Sequence, residues 1–158
     1  MEKTEYVEWV PTGRFIKGAK LATTFLIVIV LALLIVFVQP LDMEAFIGIG
    51  VSVSVLIFIL LLLVNFRGIT IKIDSEKVRV NYGLLNNKSI MLDEIDSCKP
   101  VKAPFRRFGG VGVRYGFDGA HGYTTSFGNA VEIKPKKGRV FVFSSNNPDK
   151  ICERINNK

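Results

Sequence analysis

Two uncharged runs decide the architecture: Leu21–Val38, LATTFLIVIVLALLIVFV, and Ala45–Val64, AFIGIGVSVSVLIFILLLLV. They hold 18 and 20 residues. At the rise of an α-helix they extend about 27 and 30 Å, enough for the hydrocarbon core of a bilayer. Isoleucine and valine are frequent in both and favour strands, but the runs far exceed a buried strand. Two of them are hard to hide in a small soluble core. The expectation is two transmembrane helices. A secretory signal explains the first run less well: its apolar stretch is too long, 20 residues precede it, and no Ala-x-Ala-like cleavage site follows before Gln39-Pro40.

Outward from these runs, the connection Gln39-Pro40-Leu41-Asp42-Met43-Glu44 is short enough to force an antiparallel hairpin, and Pro40 is a natural helix stop. Arg14, Lys17 and Lys20 precede the first run, Arg67 and Lys72 follow the second, and the connection has no basic residue. The positive-inside rule then places both termini in the cytoplasm and residues 39–44 outside, in a multi-pass protein of the cell membrane. Gly48/Ser52 and Gly50/Ser54 are small residues at helical spacing. They either seat the first span of the same chain or offer a face for a homo-oligomer. Residues 1–20 admit two readings. Trp9 and Phe15 sit at headgroup level, or Tyr6–Val10 forms a short strand; Pro11 and Gly13 argue against one continuous helix.

The chain has 158 residues and a formal charge of +7, room for one ordinary domain beside the hairpin and too little for a two-lobed enzyme. From Gly68 to Lys158 the apolar pattern changes to period two. Ile69, Ile71 and Ile73, then Val78, Val80 and Tyr82, alternate with polar residues around the turn Asp74-Ser75-Glu76, which predicts a hairpin. Further strands are expected at Lys88–Leu92, Ile95–Val101 and Gly112–Phe117. Ala130–Pro135 and Gly138–Ser144 are expected to form a second hairpin around Lys136-Lys137. A C-terminal helix follows. Asn147 suits the N-cap, Pro148 the first turn and Asp149 the positive end of the dipole, while Ile151, Cys152 and Ile155 share one face.

Seven short antiparallel strands and one terminal amphipathic helix within about ninety residues form a specific order. Leu92-Asp93-Glu94-Ile95, the glycine-rich Gly109-Gly110-Val111-Gly112-Val113-Arg114, and Gly138-Arg139-Val140-Phe141-Val142-Phe143 before Asn147-Pro148 add to it. The stretch resembles a pleckstrin-homology (PH) domain, and the whole chain resembles small membrane proteins carrying bacterial-type PH domains. The resemblance implies an α+β domain, a bent antiparallel β-sandwich whose open end the last helix caps. PH domains that read phosphoinositides place basic residues at the first strand–strand turn. Here that turn is Asp74-Ser75-Glu76-Lys77, which argues against specific phosphoinositide recognition.

Catalytic chemistry has little to build on. His121 is the only histidine, read as a solvated loop residue in Gly119-Ala120-His121-Gly122. A metal site lacks ligands, serine catalysis lacks a base other than His121, and no Gly-x-Ser-x-Gly occurs. Gly109-Gly110-Val111-Gly112 fails as a phosphate cradle, because Tyr115 stands where a third glycine is needed and a strand follows rather than a helix. The glycines are read as a turn or bulge. Cys98 and Cys152 are expected to stay reduced in a cytoplasmic domain, with Cys152 as core filler and Cys98 beside Lys99 as a weak candidate for a lowered pKa. No catalytic residue, cofactor or metal is assigned. An enzyme would need a pocket uniting His121 with a carboxylate such as Asp118.

From Asn65 onward there are 17 basic and 9 acidic residues. The densest cluster is Lys99, Lys102, Arg106 and Arg107 with Phe105 and Phe108 interleaved, a surface suited to a lipid headgroup or a protein partner. The alternative is that these lysines are ordinary solvated residues and one phenylalanine is core. A second cluster is Lys134, Lys136, Lys137 and Arg139. Nucleic-acid binding fits poorly, since no recognition helix or stacking platform is evident. The expected function is a membrane-anchored interaction module that binds a protein partner or scaffolds an assembly at the cytoplasmic face. Binding of anionic lipid is the second expectation and a small enzyme a remote third.

Overall fold

The computed structural model describes residues 6–37 and 43–157. Gln39–Asp42, the first four residues of the expected connection, lie outside them. The chain divides into a helical unit, Arg14–Asn65, and a β-unit that combines Met1–Gly13 with Phe66–Lys158.

The helical unit contains α1 (Arg14–Phe37) and α2 (Met43–Asn65), so Met43 and Glu44 belong to a helix rather than to the connection. Ile16–Leu34 in α1, 19 residues, is long and apolar enough to cross a membrane. In α2 the corresponding stretch, Phe46–Leu62, is shorter. Among the described residues one helix, not two, therefore reaches that length; the rest of the 20-residue run lies at its two ends. Leu26, Val30 and Leu31 of α1 line a shallow apolar cleft with Val51, Val55 and Ile59 of α2. Gly48 and Gly50 are not part of this contact: a Cβ at either would meet nothing within 4 Å. The Ser52 and Ser54 hydroxyls donate to the carbonyls of Gly48 and Gly50, at 2.8 and 2.9 Å, satisfying themselves inside their own helix.

Among the described residues the β-unit holds nine strands in two sheets. The first sheet has the order β1 (Tyr6–Pro11), β2 (Gly68–Ile73), β3 (Lys77–Tyr82), β4 (Asn86–Met91). The second contains β5 (Ile95–Lys102), β6 (Gly112–Tyr115), β7 (His121–Thr124), β8 (Asn129–Pro135) and β9 (Phe141–Ser144), in the order β5-β8-β9-β7-β6. A single helical turn, α3 (Phe105–Phe108), and the terminal helix α4 (Pro148–Asn156) complete it. The α+β class agrees with expectation, but two strand assignments change. Tyr6–Pro11 is a strand, which decides between the two readings of the N-terminal segment. His121 opens β7 instead of lying in a loop. The second sheet is also not purely antiparallel, because β7 and β9 run parallel, Tyr123 opposite Phe143. Short sequence windows hide this pair, since a parallel partner must come from a distant segment.

The period-two residues of both sheets build one core. Ile69, Ile71, Ile73, Val78, Val80 and Tyr82 face Val131, Ile133, Phe141 and Phe143, and α4 adds Ile151, Cys152 and Ile155. Alternation sends Ala130 and Val142 to the opposite face of the second sheet, where Phe108 of α3 covers them. Asn147 occupies the N-cap of α4 but makes no capping bond with its side chain. Its N–H instead donates to the Ser145 hydroxyl at 3.0 Å.

The cysteines overturn the expectation of reduced thiols. Cys98 of β5 and Cys152 of α4 form a disulfide across 54 residues of chain, and both are buried. Burial of Cys152 on the inward face of α4 was legible; its partner was not, because the sheet brings β5 beneath α4 only in the folded chain. In the chain-entropy model a loop of this length contributes about 4 kcal/mol.

Candidate functional site

The basic cluster divides in two once its surroundings are known. β5 is an edge strand, which tolerates Pro100. Beyond it the Ala103 N–H donates to the Gly128 carbonyl at 2.9 Å, and α3 closes on Gly109, whose φ of 64° suits glycine. Phe108 is buried against Gly122; a Cβ there would stand 2.5 Å from its ring. Arg107 donates Nε to Asp118 at 2.8 Å and pairs with Glu132 at 2.6 Å. Burial would lower the Arg107 pKa, but its hydrogen bonds to Glu132 and Asp118 outweigh it and hold the guanidinium above its ordinary range. Burial would likewise raise Asp118, but the Ala120 N–H and Arg107 hold it below the usual carboxylate range. Arg107 and Phe108 thus tie α3 onto the second sheet. Lys99, Lys102, Phe105 and Arg106 are the members left exposed.

The remaining exposed members gain meaning from where the chain leaves the β-unit. Pro11 pairs with Gly68, and the Thr12 N–H and hydroxyl both donate to the Arg67 carbonyl, at 3.2 and 3.1 Å. Residues just before α1 and just after α2 are therefore pinned together. The Gly13 N–H donates to the Thr125 carbonyl at 2.9 Å, which brings the loop of residues 125–128 to this end. The Gly83 N–H donates to the Gly68 carbonyl at 3.2 Å, which brings the β3–β4 turn there too. The Trp9 ring lies over Gly68, where a Cβ would stand 2.8 Å from it. Leu84 and Leu85 in that turn are 79% and 77% exposed. Phe127 meets Phe105 edge to face at 5.4 Å, and both residues are exposed.

The second basic cluster is at the other end. β8 runs from Asn129, opposite Lys102, to Pro135, opposite Ile95, so Lys136 and Lys137 are a full strand away. There they share a surface with Asp93 and Glu94.

His121 takes part in an aromatic stack. Its ring lies 4.8 Å from that of Tyr115 and within 5.1 Å of Tyr123, and Arg139 covers the outer face of Tyr115. Burial, then the charges of Lys88 and Arg139, lower its pKa by disfavouring the imidazolium. The Asp118 carboxylate binds Arg107 and the Ala120 N–H, so these two groups serve separate structural purposes. Among the described residues no group of His, Cys, Asp and Glu could hold a metal ion.

One buried carboxylate escaped the sequence reading. Glu8 of β1 accepts from the Ser145 hydroxyl at 3.1 Å, the Asn146 N–H and the Tyr6 hydroxyl at 2.7 Å. It fastens the strand that precedes the helices to the β9–α4 junction. Its period-two position between Val7 and Trp9 was the only available signal.

Comparison with protein-family models, with curated proteins and with solved structures finds no match for this chain. The functional reading rests on geometry.

Proposed function

We propose that this chain is a multi-pass membrane protein in which α1 and α2 cross the bilayer as an antiparallel pair. The β-unit they interrupt is a non-enzymatic, PH-like interaction module that holds a protein partner at the cytoplasmic face. The observation that carries the reading is the pairing of β1 with β2, from Tyr6↔Ile73 to Pro11↔Gly68. The helices enter and leave the β-unit at adjacent residues of adjacent strands. A single crossing would put β1 and β2 on opposite sides of the membrane and abolish that pairing. An even number of crossings is the arrangement the sheet permits.

Basic residues at both ends of the helical insert, with none at 39–44, support the cytoplasmic side. The Cys98–Cys152 disulfide pulls the other way, since such bridges persist mainly in oxidising compartments. The charge pattern acts on insertion itself. The bridge, with both cysteines 4% exposed, is shielded from the thiols that would reduce it. Two sheets and a terminal helix support the PH-like reading; the parallel β7–β9 pair and the strand donated from before the helices depart from it. β4 is an edge of the first sheet and offers backbone groups to a partner strand. Tethering to the bilayer raises local concentration, so modest affinity suffices.

The test attaches one protease-sensitive tag to each terminus of the full chain. Both tags should be protected in intact cells and cleaved together after permeabilisation. Tags on opposite sides would end the two-crossing reading. A photo-crosslinking residue at Lys88 of β4 should capture one reproducible partner; a blank there would remove the protein-binding role while leaving the topology intact.

A further inference from the structure

We propose that the end of the β-unit from which the chain departs into its helices is a bilayer-seating surface. It would rest Leu84, Leu85, Phe105 and Phe127 in the headgroup–acyl boundary and offer Lys102 and Arg106 to anionic lipid phosphates. This rests on the membrane reading above and adds to it a defined lipid contact.

Three independent segments converge there. The β3–β4 turn arrives through Gly83 on Gly68, the loop of residues 125–128 through Thr125 on Gly13, and the start of α3 through Ala103 on Gly128. None of the three tips needs its apolar side chain for the core. Leu84 and Leu85 are 79% and 77% exposed, and the Phe105 and Phe127 rings meet each other with about half their surface open to solvent. Exposed leucine and phenylalanine gathered on one rim of a small domain mark a contact surface rather than scattered surface residues.

The identity of the occupant follows from position and charge. Gly13 and Phe66 are the residues of the β-unit joined directly to α1 and α2, so the chain passes into its apolar helices from this rim. Arg67, Lys102 and Arg106 are exposed at or next to it. The opposite end, reached along β3 and β4 from Tyr82↔Asn86 to Lys77↔Met91, carries Glu76, Asp93 and Glu94 interspersed with Lys136 and Lys137. The end towards the linkers thus joins exposed apolar tips to unopposed basic residues, whereas the far end mixes Lys136 and Lys137 with its carboxylates. Basic residues contribute about 1 kcal/mol each near an anionic leaflet, and apolar side chains anchor at the boundary. The seat acts by insertion of its exposed tips.

The experiment uses the full chain reconstituted in nanodiscs, in a background of Trp9→Phe, which removes the only tryptophan. Single reporters Leu85→Trp and Phe127→Trp sit on the rim, and Met91→Trp at the far end serves as control. Lipids brominated high on the acyl chain should quench both rim reporters and shift their emission to the blue, while the control emits as in water. In anionic discs Lys102→Gln and Arg106→Gln should each lower the ratio of seated to free domain about fivefold, an effect absent in neutral discs. Rim reporters quenched no more than Met91→Trp would overturn the seat. Equal losses in neutral and anionic discs would remove the basic pair from it. Failure of the chain to incorporate into discs at all would instead overturn the membrane reading, so the two failures are distinguishable.

Discussion

Replacing Glu8 with alanine probes the joint on which the topology depends. Glu8 is 7% exposed and accepts from three donors on two segments: the Tyr6 hydroxyl, the Ser145 hydroxyl and the Asn146 N–H. Hydrogen bonds to a charged group contribute about 1.5–3 kcal/mol each, but their loss is partial wherever water can take over. Asn146 is exposed and Tyr6 half-buried, so both rehydrate. Ser145, 3% exposed, loses its buried acceptor. The net cost for Glu8→Ala is about 3 kcal/mol. For a β-unit of this size that lowers the melting temperature by roughly 15 °C. Glu8→Gln, which keeps the shape and one acceptor, should fall between. Trp9, the only tryptophan, lies in the same strand, so its fluorescence reports directly on β1. In detergent-solubilised wild type the Trp9 transition should coincide with the near-UV dichroism of the core tyrosines Tyr82 and Tyr123, as expected for one cooperative unit. In Glu8→Ala both should move together. A Trp9 transition well below the tyrosine signal in wild type, or a Glu8→Ala melting point within a few degrees of wild type, would refute the claim that β1 is an integral strand.

Phe108→Ala empties the space beneath α3 against Gly122 and should cost about 3–4 kcal/mol in chemical unfolding, far more than Phe105→Ala on the exposed rim. Quenching the protein with an alkylating reagent at extraction should leave Cys98 and Cys152 unmodified, counted by mass, and Cys152→Ala should lower stability by about 4 kcal/mol; two alkylated thiols in native protein would show the bridge absent. The lowered His121 pKa means that the unfolded chain gains its proton first as pH falls. Stability present above about pH 6.5 should therefore drain away on acidification, and His121→Phe should flatten that limb of a stability–pH curve. Burial, with Glu8 adding to the effect at Tyr6, pushes Tyr6 and Tyr82 up to about 12 from the ordinary 10, and burial raises Tyr123 as well. Stability should fall as pH rises from about 10 to 12, and tyrosinate absorbance should show these three groups titrating late.

Legibility in the sequence followed the range of the interaction concerned. The long apolar runs, the hairpin of Ile69–Tyr82 and the inward face of α4 depend on neighbours a few positions away, and their periodicity is written locally. Arg107 looked like a surface residue, and whether Phe105 or Phe108 was core stayed open, because the partners Asp118, Glu132 and Gly122 come from the β6–β7 turn, β8 and β7. Charge patterning alone could not separate Arg107 from Lys102 and Arg106, which stay exposed. His121 looked like a loop residue because its glycine neighbours suggest a turn; the stack on Tyr115 forms only once β6 and β7 pair.

Residue chemistry alone was enough to divide the chain into an apolar part and a basic, strand-rich part, since hydrophobicity and period-two alternation act within a short window. Only folding decided that the strand before the helices belongs to the sheet after them, that Cys98 meets Cys152, and that β7 lies parallel to β9. Each joins segments far apart along the chain. Hydrogen bonds between backbones and contacts between distant side chains leave no periodic trace in either partner, so they become visible only when the shared core draws the partners together.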